Sequence, residues 1–390
     1  MVADNRGPLD GVRVVELAGI GPGPFTGMLL ADLGADVVQV ERPGGAAAAL
    51  GTVGQVVNRG KRSVVVDLKD PRGADVVKRL AQRADVFLEG NRPGVTERLG
   101  VGPADLLAVN PKLVYGRMTG WGQEGPLASA SGHDIGYIGI TGALHAIGPA
   151  DAPSIPVNYL GDYGGGSMFL ALGVVSALVS ARSTGQGQVV DAAIVDGAAT
   201  LQAATWGYMA AGSWQDQRGS NLLDGGTPFY SVYETSDGRH MAVGALEAKF
   251  YAQLIELLFA PEGVPSDLPG QYEIDRWGDL RAALASRFAT RTQADWTKVF
   301  EGTDACVAPV LPMKEAVTHP HLAARGTFVE VDGVTQPAPA PRFGPASGAP
   351  SALPTKSIPA MGAHTREILE ELGVDDVEGL LSSGAVIQAG

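Results

Sequence analysis

Between residues 12 and 118 the chain alternates short apolar runs with helical patterns, and few folds accept that rhythm. Residues 12–17, 36–40, 63–68, 85–88 and 113–118 are too short for helices and too continuously apolar for half-exposed strands, so they read as buried parallel strands. Between them lie stretches with helical spacing. Met28, Leu29, Leu30 and Leu33 are closed by Gly34, residues 71–83 carry Pro71 near their first turn, a short turn ends at Leu99, and residues 103–109 follow. This alternation predicts a doubly wound α/β domain, whose ligands bind beyond the carboxyl ends of the strands. Arg42, Lys69 and Arg92 each follow an expected strand; they either face one crevice or are ordinary surface cations.

At 390 residues the chain is too long for one ordinary core, and a second domain is expected. Residues 164–183 read as a long helix, apolar on most faces and therefore buried. Residues 188–194 read as a sixth strand, and 196–211 as a further helix. The character changes near Asp224-Gly225-Gly226. Residues 230–235 and 240–245 flank Ser236-Asp237-Gly238-Arg239, a hairpin signature. Helical patterns at 247–258, 280–289 and 294–300 complete a smaller α+β domain. A second hairpin is expected at Asp332-Gly333, an extended proline-rich arm over 336–359, and a last helix over 365–372, stopped by Gly373.

Composition narrows the function classes. Apolar content of 45% with 18% charged residues describes a globular protein. The formal charge of −13 argues against generic binding to nucleic acid or anionic membrane. The single cysteine, Cys306, excludes an intramolecular disulfide and a multi-cysteine metal site, and its apolar neighbours read it as core. The most apolar stretch, residues 168–181, is 14 residues and too short to span a bilayer. Without an apolar leader or a simple targeting tail, the expectation is a soluble cytoplasmic protein.

The glycines of the first βαβ unit, Gly21, Gly23 and Gly27, invite a dinucleotide reading, but the spacing is G-x-G-x-x-x-G and Pro22 and Pro24 remove backbone donors. A more specific chemistry lies in Gly132-His133-Asp134-Ile135-Gly136-Tyr137 and Gly161-Asp162-Tyr163-Gly164-Gly165-Gly166. Each places a proton-carrying side chain beside glycine in an apolar setting. Asp162 reads as an N-cap of the long helix, whose free N–H groups would also stabilise an oxyanion. A general base beside such a site is the equipment for removing a proton α to a carbonyl. His145 is expected on the helix that His133 begins, while His240, His319, His321 and His364 lie in stretches that look exposed. Glu247 stands where an expected strand gives way to a helix. No G-x-S-x-G elbow occurs, and no acid–histidine pair has a recognised metal-ligand spacing, so no metal is expected. Met168, Met209 and Met241 are either an adaptable apolar lining or core filler.

Taken together, Val14-Val15-Glu16-Leu17, Ala31-Asp32-Leu33-Gly34-Ala35, Glu41-Arg42-Pro43, Arg92-Pro93-Gly94-Val95, Gly132-His133-Asp134-Ile135, Leu222-Leu223-Asp224-Gly225-Gly226 and Gly302-Thr303-Asp304-Ala305-Cys306-Val307 resemble the family III CoA-transferase superfamily, and within it the α-methylacyl-CoA racemases. The resemblance implies a Rossmann-like large domain that binds CoA, built from both ends of the chain, a smaller inserted domain, and an interlocked homodimer. The corresponding division is 1–195 (large domain), 196–228 (linker helix region), 229–305 (small α+β domain), 306–325 (return linker) and 326–390 (completion of the large domain). His133 and Asp162 match the acid/base pair, and Glu247 the carboxylate that orients the histidine from the partner subunit. Arg42, Val66, Lys69, Arg98, Gly132, Asp134, Ile135 and Tyr137 match CoA contacts. Gly136 is a departure, since racemases of this kind carry asparagine there. The implied reaction interconverts the epimers of a 2-methyl-branched acyl-CoA, with CoA part of the substrate and no separate cofactor. The runner-up is CoA transfer between carboxylic acids with Asp162 as nucleophile; a dehydrogenase and a silent CoA-binding paralogue rank lower.

Overall fold

The computed structural model describes residues 7–44, 56–260, 262–344, 346 and 350–389. They form two compact units that interrupt one another along the chain: Met1–Thr141, Val157–Leu201 and Pro320–Gly390 in the first, Gly142–Pro156 and Gln202–His319 in the second.

The first unit is built on strands β1 (Arg13–Leu17), β2 (Asp36–Glu41), β3 (Arg62–Val66), β4 (Val86–Glu89), β5 (Val114–Thr119) and β6 (Gln188–Ala193). They lie in the order β3-β2-β1-β4-β5-β6, each parallel to its neighbour. The two-residue strand Val386–Ile387 closes the outer edge of β3 in the antiparallel sense. The expected parallel-strand α/β architecture is therefore what the chain forms. Strands β1 to β5 are buried on both sides nearly throughout because helices cover both faces, whereas β6 is exposed at Gln188, Val189 and Asp191. Val15, Leu17, Val38, Val40, Val64 and Val66 pack with α2 (Pro71–Arg83) and the helix Thr365–Glu371. The alternate positions Val14, Val37, Val86 and Val114 pack with α1 (Pro22–Asp32) and α6 (Met168–Thr184). Between these helices come α3 (Val95–Arg98), α4 (Pro103–Val109) and α5 (Asp134–Ile140), and α7 (Ile194–Thr200) follows β6.

The α1 face of the sheet also buries charge. Glu16, Gln39 and Ser63 stand side by side in the strand register. Lys61 Nζ donates to Glu16 Oε1 (2.9 Å), Asn58 Oδ1 (3.2 Å) and Pro24 O (2.9 Å). Gln39 Nε2 donates to both Glu16 Oε1 and Asn58 Oδ1 at 3.0 Å. Glu16 Oε2 lies 2.8 Å from Nζ as an ion-pair contact but takes no directed hydrogen bond among the described residues. Burial pushes the Glu16 carboxyl up and the Lys61 ammonium down, and each is opposed by the other's charge. A Cβ at Gly27 would collide with Glu16 Oε2, so this glycine makes room for the ion pair.

In the second unit β7 (Tyr230–Glu234), β8 (His240–Gly244) and β9 (Val307–Pro309) form an antiparallel sheet. The expected hairpin turns at Gly238 with φ +73°. Helix α8 (Ala203–Ala210) precedes the sheet. Helices α9 (Ala248–Phe259), α10 (Trp277–Phe288) and α11 (Gln293–Phe300) pack on it through Leu254, Leu258, Leu284, Phe288 and Trp296. Met241 is fully buried among them, as core filler.

Four expectations need correction. The helix begun at His133 stops at Ile140, so His145 is not on it; its carbonyl instead accepts from Arg218 Nη1 at 2.8 Å. The stretch 196–211 is two helices, α7 and α8, not one. Helix α6 buries Leu170, Val174, Ala177, Leu178 and Ala181 but exposes Met168, Leu172 and Val179 by 53–67%. Together with the preceding turns it forms a continuous helix, Tyr159–Thr184, of a length and apolarity that would cross a membrane, but its buried face packs on β5 and β6 as a core helix does. Cys306, finally, is exposed, on backbone in the left-handed region (φ 54°). Burial, Glu247 and Asp304 all push its thiol up. Native protein should therefore label with one equivalent of a maleimide, without denaturant and more slowly than a small free thiol; labelling only after unfolding would return Cys306 to the core.

Candidate active site

All the strands of the parallel sheet present their carboxyl ends to one edge, and most of the candidate residues of the first unit follow a strand there. Arg42 is exposed just after β2, Val66 is the buried last residue of β3, and Lys69 is exposed in the next turn. Arg98 ends the short α3 after β4. The turn leaving β4 is pinned by buried Glu89, which accepts from Asn91 N (2.6 Å) and Arg117 Nε (2.9 Å). Arg92 Nη2 then donates to Ser131 Oγ at 2.7 Å. A cavity of 330 Å³ lies beyond β4 and β5, walled by Arg92, Trp121, Ser131, His133 and Tyr137 among others.

His133 is the N-cap of α5, with extended backbone, an exposed ring and no capping side-chain bond. Its carbonyl accepts from Gly136 N (2.8 Å) and Tyr137 N (3.3 Å), which fixes the helix start under the imidazole. Tyr137 is buried edge-on to Trp121, with centroids 4.7 Å apart. A Cβ at Gly120 would collide with its ring, and one at Gly132 would lie 2.6 Å from it. Gly132 is thus the space the Tyr137 ring needs. Ile135 is exposed on the same helix. A Cβ at Gly136 would meet nothing within 4 Å among the described residues, so a larger residue there would not be crowded at its first atom.

Asp162 lies inside a π-helical segment, Tyr159–Ser167, whose N-cap is Asn158. The reading of Asp162 as an N-cap is therefore corrected, and its own N–H is no free oxyanion donor: it is given to Asp134 Oδ2 at 2.6 Å. The wide turns suit Gly164, Gly165 and Gly166, and such segments recur at functional sites. Gly165 and Gly197 pack backbone to backbone, since a Cβ at Gly197 would collide with Gly165 O. Ser167 Oγ donates toward Pro22 O (2.8 Å) and Asp162 O (3.1 Å), and Thr26 Oγ1 toward Ser167 O (3.2 Å), tying the segment to the first turn of α1. Gly21, with φ +76°, lets that turn approach: its Cβ position is 3.5 Å from Asp162 Oδ2. Phe25 stacks on Tyr163 with centroids 4.4 Å apart.

The half-buried Asp162 carboxyl is held above the usual aspartate range, first by burial and also by the charge of Asp134. The Asn158 Nδ2 donation at 3.3 Å and the His133 charge oppose the shift. The His133 charge reaches the Asp162 carboxyl, and Asp134, the residue after His133 at the start of α5, is buried at 7% exposure and accepts the Asp162 N–H. Asn158 carried no sequence signal beyond standing four residues before Asp162.

Glu247 lies in the second unit as the exposed N-cap of α9, its carbonyl accepting from Phe250 N and Tyr251 N. Gln271 Nε2 and Tyr272 Oη donate to Leu246 O, so the bend that presents Glu247 is fixed from two sides.

Comparison with known proteins agrees along nearly the whole chain. The profile of CoA-transferase family III matches residues 9–365. The human alpha-methylacyl-CoA racemase is 46% identical over 370 residues, covering 94% of this chain and 93% of that protein. The mouse alpha-methylacyl-CoA racemase is 45% identical over 387 residues, covering 98% of each. The mouse succinyl-CoA:glutarate CoA-transferase is 31% identical over 411 aligned positions, covering 99% of this chain and 92% of its own. Among solved structures, a CAIB/BAIF family protein from Brucella suis matches with a TM-score of 0.80 at 27% identity, covering 94% of this chain and 100% of that one.

Proposed function

The chain belongs to the CoA-transferase family III, and from that premise we propose that it is a racemase that interconverts (2R)- and (2S)-2-methylacyl-CoA thioesters. The reading is supported by the contact between the two candidate segments, in which Asp134, next to His133, accepts the Asp162 N–H, and by the burial that holds the Asp162 carboxyl toward its protonated form. The 46% identity to a racemase favours it over the transferases at about 31%.

In the reaction, one of the two groups takes the α-proton from one face and the other returns a proton to the opposite face. The thioester makes the α-carbon acidic, and the positive end of α5, which starts at His133, favours the enolate charge. The pair works while it carries one proton between its two members, so the pH profile is bell-shaped and its limbs belong to the pair. Glu247 of a second copy would favour the imidazolium and fix its tautomer.

The strand order β3-β2-β1-β4-β5-β6 supports a Rossmann-like reading of the large domain. Arg42, Val66, Lys69, Arg98, Gly132, Asp134, Ile135 and Tyr137 are the candidate CoA contacts beyond its strand ends. A homodimer is supported by apolar side chains left exposed on each unit. Helix α8 has no buried residue although it carries Trp206 and Tyr208, and α6 leaves Met168, Leu172 and Val179 exposed.

The alternative is CoA transfer, in which the Asp162 carboxylate attacks the thioester carbonyl and CoA leaves as its thiolate. Incubating one 2-methylacyl-CoA epimer in heavy water separates the two. Racemisation with deuterium at the α-carbon and no acceptor acid is the expected result. Absence of exchange, with CoA moving only when an acceptor acid is added, would replace the racemase by the transferase.

A further inference from the structure

A second carboxylate is buried against Asp162. Asp134 Oδ2 accepts the Asp162 N–H at 2.6 Å, while its Oδ1, equally out of solvent, has no hydrogen-bond partner among the described residues. An acceptor-only anion buried with half its capacity unmet is costly, and asks for a reason. Gly161 is a second, independent sign that this contact is built: a Cβ there would collide with Asp134 Oδ2 and come within 3.0 Å of Ile138 Cγ2. Only glycine at 161 lets the carboxylate reach the backbone of the next residue.

Resting on the proton-transfer reading of the site, we infer that Asp134 is a positioning residue of the reaction: it clamps the backbone of Asp162 to the helix that starts at His133 and sets a fixed charge beside the Asp162 carboxyl. One helix start then carries both a proton carrier and the clamp for the other. The N–H that Asp134 accepts belongs to the first turn of the Tyr159–Ser167 segment, where donors have no partner within their own helix. Asp134 thereby caps that segment from a different helix, and the spacing of His133 and Asp162 follows the rigid geometry of α5. The groups whose charge bears on the Asp162 carboxyl are His133 and Asp134 of α5, with neutral Asn158 from its own segment. On the other elements packed there, Asp32 of α1 is paired with Arg59 and Arg117 of β5 with Glu89 and Glu97; Asp191 of β6 accepts from Gln123 N, and Arg182 of α6 and Asp196 of α7 are exposed.

Two variants separate clamp from charge. Asp134→Asn keeps an acceptor for the Asp162 N–H and removes the charge. Its acid limb should move to lower pH, because Asp162 gives up its proton more readily. Asp134→Ala loses both, and kcat should fall by about 10²-fold, the usual result of misplacing a reacting group. Circular dichroism checks that each is folded. Amide hydrogen exchange of the peptide covering 159–167 reads the clamp without reference to turnover: faster in Asp134→Ala, unchanged in Asp134→Asn. Unchanged protection in Asp134→Ala, or an unmoved acid limb in Asp134→Asn, would overturn the inference. A parent protein that exchanges no α-proton would sink the racemase reading instead, and the amide measurement would still decide this one.

Discussion

Replacing His133 by alanine should lower epimerisation by about 10²- to 10⁴-fold, the usual contribution of a positioned proton carrier. At about 1.4 kcal/mol per tenfold this corresponds to roughly 3–5 kcal/mol of transition-state stabilisation. The effect should fall on turnover alone. The imidazole is exposed and makes no capping bond, so its loss leaves the start of α5 intact. The candidate CoA contacts at Arg42, Lys69 and Arg98 stand on other turns, so CoA binding by calorimetry should stay close to the parent's. Any residual exchange in heavy water should be confined to the epimer whose α-proton faces Asp162, and should proceed without inversion. Retained inversion would remove the histidine from the mechanism. Asp162→Asn is a poorer test, because Asn158 and the turn that Asp134 holds both adjoin that side chain.

Lys61→Met should give the largest loss of stability, about 3–5 kcal/mol, because it strands a buried carboxylate. Glu16 and Lys61 are 1% and 0% exposed at their side chains, and Asn58 and Gln39 are organised around both. The loss comes from the unpaired Glu16 charge more than from the missing attraction, so neutralising both partners should recover most of it. Glu16→Gln combined with Lys61→Met is therefore expected to unfold in urea much closer to the parent than Lys61→Met does. Equal midpoints for single and double variants would show that the ion pair is hydrated in solution. The same variants test the glycine turn, since Lys61 also holds Pro24 O in the first turn of α1, next to Asp162.

What could be read from the sequence is what period and spacing encode. The parallel strands announced themselves because burial on both faces leaves an unbroken apolar run, as in Val86-Phe87-Leu88. His133 and Asp162 stood out as titratable groups beside glycine. The glycines of the first βαβ unit invited a dinucleotide reading that their spacing already opposed, and the structure gives them other work. Gly21 serves a positive φ and the approach to Asp162, and Gly27 the Glu16–Lys61 pair, so neither needs a phosphate. A polar residue inside an apolar run does not say where its partner lies, and Lys61 follows Glu16 by 45 positions. The π-helical turns were equally hidden, since three consecutive glycines permit several helices and the packing of Gly165 against Gly197 selects one. Cys306 was misjudged because apolar neighbours do not reveal a left-handed backbone that turns the thiol outward.

The late closure of β3 has a consequence for how the protein is made. The N–H groups of Ser63 and Val65 are taken by His364 Nδ1 and Thr365 Oγ1, and Val386–Ile387 pairs with the same strand. These partners are about three hundred positions downstream, so during synthesis β3 stays an open template edge while the whole second unit is being made. A nascent chain halted before residue 386 would carry a nearly complete parallel sheet with its β3 margin unprotected, the form in which such sheets recruit foreign strands. The last few residues of the fold thus act as the seal on a surface laid down near its beginning.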